Sequence, residues 1–283
     1  MASPGHHGWS PSPFLAASAG LHGVAAATLL AYPHSWNLAL AAVVANHLAI
    51  GTAGMLPRCN WLGPNITRLP ATTARGELIA LTFDDGPDPE VTPAVLDLLK
   101  GAGARATFFC VGQRAESHPA VMAAIRRGGH GVENHTYSHP NGFALRGPGG
   151  IGAEILQGQE AIERAGCGRP RFFRAPAGIQ NIWLTAVLAR AGLSLVSWSR
   201  RGYDTVTRDG SRVATRLERG LTAGDILLLH DGSSAHDASG RPVVLEALPH
   251  VLDEMRRLGL RSEALHTVLP PAPVSGDSFL RTH

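Results

Sequence analysis

The chain has 283 residues, of which 44% are hydrophobic and only 17% are charged. This length is more than one small domain needs and suits one α/β barrel with an extension. The formal net charge is only +3 and no basic cluster stands out, which argues against a nucleic-acid binder. The three cysteines, Cys59, Cys110 and Cys167, are too widely spaced for a disulfide framework or a CxxC zinc site.

The first 57 residues contain no Asp, Glu, Lys or Arg, and they hold two long apolar stretches. These predict two transmembrane helices, over about 14–32 and 36–56, each close to the ~30 Å thickness of a bilayer core. The three residues between them allow only a tight turn, so residues 1–57 are predicted to form a membrane hairpin. A signal peptide would need a basic start and a single apolar core. The other alternative, a pair of buried Ala-rich helices, would normally be shorter.

Polar residues interrupt the two stretches, and two of them, His22 and Asn46, lie at the same distance from the turn. Because buried polar groups in lipid need partners, we hypothesise that this pair hydrogen-bonds across the hairpin.

Both ends of a hairpin emerge on one side of the membrane, so the rest of the chain should share a side with the N-terminus. Arg58, Arg68 and Arg75 follow the second stretch, whereas the turn has no Lys or Arg. The positive-inside rule therefore weakly favours the cytoplasmic side.

From residue 78 onward, short apolar runs alternate with helical stretches. Thr92 followed by Pro93, for example, is a typical helix start. About seven βα units predict a parallel sheet closed into a barrel, within residues 78–270. Residues 58–77 would be a linker and 271–283 a flexible tail. The predicted strands are 78–83, 106–111, 130–133, 171–174, 193–198 and 226–229, and the predicted helices are 92–101, 119–127, 151–165, 183–191, 213–221 and 243–258.

Polar residues recur immediately after these strands. Because the carboxyl ends of parallel strands meet at one face of a barrel, where active sites lie, residues far apart in sequence should converge there. The residues concerned are Asp84-Asp85, His135, Arg174, the run 200–204 and His230-Asp231.

Two short patterns within this set indicate metal binding. His135 and His139 are four residues apart, and on a helix or helical turn they would face the same way and could bind one ion. Asp84 and Asp85 are adjacent carboxylates, whose repulsion a nearby cation would relieve. Chance spacing and a solvated acidic turn are the alternatives for each pattern alone. Together they predict a two-histidine, one-carboxylate site with open positions for water and substrate.

The segment from about Leu78 to Pro270 resembles the NodB-type polysaccharide deacetylases, carbohydrate esterase family 4. Four motifs carry the resemblance, in the family's order, and the family fold is a distorted (β/α) barrel. The motifs are Thr82-Phe83-Asp84-Asp85-Gly86-Pro87, His135-Thr136-Tyr137-Ser138-His139, Arg174-Ala175-Pro176 and Leu227-Leu228-Leu229-His230-Asp231.

The resemblance implies a role for each motif residue. Asp84 would be the general base and His230 the general acid, with Arg174 beside Asp84. The backbone after Pro176 would help form an oxyanion site, and Leu228 would line the pocket for the acyl methyl group. One divalent ion, usually zinc but with cobalt, manganese or nickel as alternatives, would be bound by Asp85, His135 and His139.

Three positions depart from the family pattern. Ala177 stands where the family usually has an aromatic residue. Arg201 and Thr205 replace an acid and a tryptophan of a motif that follows Trp198. The family's partner for the catalytic histidine is therefore open, with Asp204 and Asp231 as candidates.

The expected function is a metal-dependent hydrolase that removes an N-acetyl, or less favourably an N-formyl, group from an amino sugar. The hairpin indicates a multi-pass protein of the bacterial cytoplasmic (inner) membrane and a glycan or lipid-linked saccharide as substrate. The alternative is a catalytically impaired, membrane-anchored sugar-binding protein with the same fold. Loss of Asp84 or His230 would have indicated that alternative, and both are present.

Overall fold

A computed structural model describes residues 9–270. The expected tail at 271–283 and the first eight residues of the hairpin segment lie outside this range. The described chain consists of two apolar helices followed by a curled, parallel half-barrel sheet covered by helices, which confirms the expected fold class. The helices are α1 (Pro13–Ala31), α2 (Trp36–Met55), α3 (Ala71–Ala74), α4 (Val91–Gly101), α5 (Gly112–Ser117), α6 (Pro119–Arg127), α7 (Pro148–Arg164), α8 (Leu184–Ala191), α9 (Gly210–Glu218), α10 (Val244–Arg257) and α11 (Leu265–Val268).

The strands form one sheet in the order β5-β4-β3-β2-β1-β7-β6, and β8 also pairs with β1. Every strand pair is parallel. The central strands are buried on both faces, as the unbroken apolar runs in the sequence predict. The strands are β1 (Leu78–Asp84), β2 (Ala106–Cys110), β3 (Gly131–Asn134), β4 (Phe172–Phe173), β5 (Ser194–Leu195), β6 (Arg200–Arg201), β7 (Ile226–His230) and β8 (Arg261–Ser262).

The segment 58–77, expected as a linker, packs against this sheet. Ile66 forms a parallel bridge with Val196 beyond β5, and Arg68 forms an antiparallel bridge with Asp225 just before β7. The segment therefore connects the β5 end of the strand path to the start of β7, and Leu69 joins the hydrophobic core beneath.

Helix α4 begins at Val91, two residues before Pro93, the first helical residue that an N-cap at Thr92 would give. Thr92 was expected to be its N-cap, but the helix starts at Val91, and Asp88 Oδ1 accepts the backbone N–H groups of Glu90 and Val91. The Thr92 hydroxyl instead donates to Asp231 Oδ2 at 2.5 Å, so a tertiary contact replaces the predicted local one.

The two N-terminal helices are long and apolar enough to cross a membrane. The spans Pro13–Ala31 and Pro33–Met55 both have a mean hydropathy of 1.6, and only 11% and 17% of them are buried within the protein. This exposure is unlike that of core helices. Length and composition suit membrane spans and also suit a signal sequence.

The hypothesised bond between His22 and Asn46 is wrong. Asn46 Nδ2 donates to Ser18 Oγ at 2.7 Å, one helical turn before His22. His22 instead contacts its own helix through the Ser18 carbonyl, and its ring meets His47 edge to face at 5.1 Å between centroids. A small hydroxyl lets the two helices approach closely, and the sequence count from the turn did not identify Ser18 as the partner.

The end of the hairpin opposite the turn contacts the domain that contains the sheet. The amide of Gln180 donates to the carbonyl of Gly54 at 2.9 Å, and Ser12 Oγ donates to the Trp61 carbonyl at 2.5 Å. A methyl group at Gly54 would lie 2.4 Å from the Gln180 oxygen, so the helix and the loop meet backbone to backbone. Just beyond α2, Pro57 packs against Gly178. A Cβ added at Gly178 would lie 3.0 Å from the Cβ of Pro57.

We predict that Gly54→Ala destabilises the full chain by about 1–3 kcal/mol, because the added methyl must displace the Gln180 backbone. Gly51→Ala on the same helix is the matched control: no atom lies within 4 Å of that site, so its effect should be neutral or slightly stabilising. Thermal unfolding of both variants in detergent measures the difference. Equal unfolding temperatures would contradict the proposed close contact.

Candidate active site

The predicted polar residues meet at the carboxyl end of the sheet. Parallel pairing of β1 with β7 aligns Asp84 with His230, so the two side chains lie at the same level on neighbouring strands. They line a cavity of about 140 Å³, together with Asp85, His135, His139, Ala177, Gly178, Trp198, Arg201, Thr205 and Leu228. A larger cavity of about 500 Å³ lies between α4 and α6, and none of the predicted site residues lines it.

Three of these residues form a group suited to a metal ion. His135 Nε2 and His139 Nε2 lie 3.2 and 3.1 Å from the same carboxylate oxygen, Asp85 Oδ1. All three ligand atoms lie within 4.8 Å of one another. Ser233, which the sequence analysis did not select, donates its hydroxyl to the other oxygen of Asp85 and so orients the carboxylate.

The donor atoms fit a cation. His135 Nδ1 is 2.8 Å from the carbonyl oxygen of Arg174 and must donate to it, so the neutral ring presents its Nε2 lone pair to Asp85. Two imidazole lone pairs and a carboxylate would repel one another without positive charge between them. Burial alone would lower the pKa of His135, but the charges of Asp84 and Asp85 outweigh it and raise that pKa. The carboxylates therefore favour positive charge here, either as a proton or as a metal ion.

The pKa values of the two other side chains in this group shift in directions that suit a metal site. Burial opposes ionisation of Asp85, but when His135 is protonated its hydrogen bond and charge prevail and hold the pKa of Asp85 well below its usual range. Burial and the nearby charge of His135 lower the pKa of His139, which keeps that ring neutral and able to bind an ion.

The segment from His135 to His139 is a loop, so the predicted helix or helical turn is wrong. Thr136 and His139 both have positive φ, 68° and 50°, and these reversals bring the two rings to 4.9 Å between centroids. Glu154 holds the loop, because its carboxylate accepts the amides of Tyr137 and Ser138. A buried glutamate on the apolar face of a predicted helix was the available signal for this residue.

Strained backbone concentrates around the cavity. Six non-glycine residues of the described chain have positive φ, and all but Arg75 belong to the cavity or to the segments that border it. Such conformations cost about 1–3 kcal/mol each and persist where the surroundings enforce them, typically at functional sites. The five are Asp85, Thr136, His139, Ala177 and Tyr203.

Asp84 is held by a buried arginine. Arg174 Nη1 donates to Asp84 Oδ1 at 2.7 Å, while Asp84 Oδ2 points toward His135 Nε2, 4.0 Å away. Arg174 is fully buried, and its remaining donors meet Thr82 Oγ1 and the carbonyls of Val196 and Ser197. One carboxylate oxygen is thus fixed and the other is left facing the cavity.

His230 is paired with Asp204, which settles the alternative left open by the sequence. His230 Nδ1 and the His230 amide contact the two oxygens of Asp204 at 2.8 and 2.7 Å. Asp231 faces away and accepts from Thr92, and burial raises its pKa to about 7. Burial would lower the pKa of His230, but the charge and hydrogen bond of Asp204 outweigh it and raise that pKa.

The remaining predicted residues shape the wall of the cavity. Pro176 begins a 3₁₀ turn, Pro176–Gly178, and is buried, whereas Ala177 and Gly178 line the cavity. Leu228 lies almost fully buried on β7 at the cavity floor. The Trp198 ring packs closely against Gly178. A Cβ added at Gly178 would lie 2.5 Å from that ring.

The comparison with known proteins identifies the family. A family model described as polysaccharide deacetylase matches residues 71–196. A chitooligosaccharide deacetylase from Azorhizobium caulinodans is 34% identical over 195 residues, which span 66% of this chain and 92% of the relative. A peptidoglycan-N-acetylglucosamine deacetylase from Bacillus cereus is 33% identical over 190 residues, 65% of this chain and 84% of the relative. This chain belongs to the polysaccharide deacetylase family.

A solved structure agrees with this assignment. The family 4 carbohydrate esterase from Streptomyces lividans in complex with acetate superposes with a TM-score of 0.61 at 32% identity. The match covers 70% of this chain and 97% of the esterase. The expected membership of carbohydrate esterase family 4 is confirmed, and the chain is an enzyme of the deacetylase type, acting on linear amide C–N bonds.

We predict that Asp204→Asn lowers the pKa of His230 in this deacetylase, because burial is then opposed only by the charges of Asp84 and Asp85. The imidazole signals, followed by NMR against pH and assigned with His230→Gln, measure the shift. Asp231→Asn is the control and should leave the pKa of His230 close to the parent value. A larger shift in the control than in Asp204→Asn would contradict the pairing.

Proposed function

We propose that this polysaccharide deacetylase is a metal-dependent, membrane-anchored enzyme that removes an N-acetyl, or less favourably an N-formyl, group from an amino sugar. One observation carries the proposal: Asp84, His230 and the group Asp85, His135 and His139 converge on one cavity, and Pro57, just beyond α2, contacts Gly178 in the wall of that cavity. The two relatives named above deacetylate chitooligosaccharide and peptidoglycan N-acetylglucosamine, which supports an acylated amino sugar as substrate.

Asp85, His135 and His139 would hold the ion, and zinc suits two imidazoles and one carboxylate with positions left open. A divalent ion there would polarise the amide carbonyl and lower the pKa of water. Cobalt, manganese and nickel accept the same ligands.

The chain's own residues would supply the proton transfers. Asp84, with one oxygen fixed by Arg174, would take a proton from the attacking water through its other oxygen. Water adds to the amide carbon and forms the C–O bond. His230, kept protonated by Asp204, would donate its proton to the nitrogen as the C–N bond breaks, which releases acetate and a free amine.

The cavity wall would bind the acyl group. Ala177, which lines the cavity, would offer its backbone amide to the carbonyl oxygen as negative charge develops there. Leu228 would contact the acyl methyl group, and the small cavity volume of about 140 Å³ suits a short acyl chain.

The hairpin supports a substrate at the membrane surface. Two apolar spans with only 11% and 17% burial need an apolar environment. We infer a two-span hairpin in the cytoplasmic membrane, residues 1–57, followed by the deacetylase domain at 78–270. Because Pro57 and Gly54 contact the loop that carries Ala177, the cavity would lie near the interface, where lipid-linked saccharides present their sugars.

The alternative of an impaired sugar-binding protein is disfavoured by the site itself. Asp84 is paired with Arg174, as expected, and His230 with Asp204, one of its two candidate partners, at 2.7 and 2.8 Å. A protein that only bound sugar would have no need of these proton-transfer groups or their buried supports.

We predict that the full chain in detergent releases acetate from N-acetylated chitooligosaccharide, and that Asp84→Asn lowers kcat by about 100-fold or more because the general base is lost. Acetate is measured by an enzyme-coupled assay, and zinc content by elemental analysis. The variant should keep its zinc, since Asp84 is not one of the three ligands.

Asp97→Asn, an acid on α4 that borders the distant cavity, is the matched control and should retain full activity. Full activity of Asp84→Asn would refute the mechanism. Loss of zinc together with activity would instead place Asp84 among the ligands.

A further inference from the structure

Arg201 is a charged residue of the active-site cavity that the mechanism does not use. It lies on β6, where its Cα pairs with that of Leu228, and its side chain lines the cavity with Leu228 and His230.

The two arginines of β6 have opposite surroundings. Successive residues of a strand point to opposite faces. Arg200 forms an ion pair with Asp225 at 2.5 Å and donates to the carbonyls of Arg219 and Gly220. Arg201, on the cavity side, forms no hydrogen bond or ion pair within residues 9–270, and its Nε is shielded from solvent with no acceptor.

Aromatic rings fix the guanidinium in place. The Arg201 Cζ lies 5.4 Å from the Trp198 ring centroid and 5.0 Å from that of Tyr203. Stacking on aromatic faces orients a guanidinium. Its N–H groups lie in the guanidinium plane and stay free to donate at its edge. The side chain is therefore positioned without its hydrogen-bonding capacity being used.

The carboxylates at and beside the cavity already have other partners. Asp84 is paired with Arg174, Asp204 with His230, and Asp85 with the two metal-site histidines. A partly buried guanidinium with an unsatisfied donor carries a free-energy cost that an incoming anion would remove. Its planar fork matches the oxygens of phosphate or carboxylate, which it binds through paired, charge-assisted hydrogen bonds.

The surroundings favour phosphate. Arg58, the first charged residue after the hairpin, donates to the Ser199 carbonyl at 3.5 Å, so a second guanidinium contacts the backbone two residues before Arg201. Polyprenyl carrier lipids hold their sugars through phosphate esters. We propose that Arg201 is a specificity-determining residue that binds a phosphate oxygen of the substrate, so that the preferred substrate is an N-acylated amino-sugar phosphate. This inference rests on the proposed deacetylase function.

The test compares kcat/KM for acetate release by the full chain in detergent on N-acetylglucosamine 1-phosphate and on the neutral methyl N-acetylglucosaminide. The parent should prefer the phosphate. Arg201→Gln should lower kcat/KM on the phosphate by about 10- to 100-fold and leave the neutral substrate nearly unchanged. Arg201→Lys, which keeps the charge, should recover part of the loss.

Arg216→Gln is the matched control. Arg216 also lies over the Tyr203 ring, at 5.6 Å, but donates to the Gly202 carbonyl and Thr207 Oγ1. It should change both substrates alike and leave their ratio at the parent value. If Arg201→Gln lowered kcat/KM equally on both substrates, the stacked Arg201 would have only a structural role, and the proposal would be overturned.

A binding measurement separates this proposal from the deacetylase function. Calorimetric titration of N-acetylglucosamine 1-phosphate into Asp84→Asn, with and without Arg201→Gln, should show a loss of affinity of about tenfold or more. Unchanged affinity overturns the role of Arg201 even if acetate is released. Loss of affinity without any acetate release in the parent overturns the deacetylase function alone.

Two further substrates identify the source of the anion. A prenyl phosphodiester of N-acetylglucosamine that is turned over faster than the free sugar phosphate supports a lipid carrier, and equal rates support a soluble sugar phosphate. Both results retain the phosphate assignment. Preference for N-acetylmuramic acid over both phosphates would assign a carboxylate instead and overturn it.

Discussion

The buried guanidinium of Arg174 connects the strands at the carboxyl end of this sheet, where the cavity lies. Arg174 is fully buried and donates to Thr82 and Asp84 on β1 and to the carbonyls of Val196 and Ser197 beyond β5. Its own carbonyl accepts from the ring of His135. One residue therefore orients Asp84, His135 and the neighbouring strands. Burying this charge is tolerated because each donor group meets an acceptor and one acceptor is a carboxylate.

The same design recurs around the other functional groups. Asp204 holds His230 through both carboxylate oxygens, and Glu154 holds the loop between the two histidines. Each functional side chain is thus positioned by a buried partner from another element, which is what preorganised sites require. The backbone strain at Thr136 and His139 is maintained by these contacts.

Much of this arrangement follows from the sequence, because apolar strands followed by polar residues are a strong local signal. Asp84, Asp85, His135 and His230 could be placed at the carboxyl ends of strands for that reason. The parts that could not be placed depend on long-range contacts or very short elements. Strand β6 consists of two arginines and has no apolar run, and the reversals of the histidine loop depend on Glu154, 15 residues beyond His139. Likewise, Ser18 was not identified as the partner of Asn46 because a serine in an apolar helix has no distinctive pattern.

The central claim of the proposed function concerns the metal. The most direct measurement is acetate release by the full chain after zinc has been removed by chelation and dialysis, followed by titration with zinc while bound zinc is counted. The account predicts that activity is lost on removal and returns in proportion to one bound ion per chain. Undiminished acetate release from the zinc-free protein would contradict it.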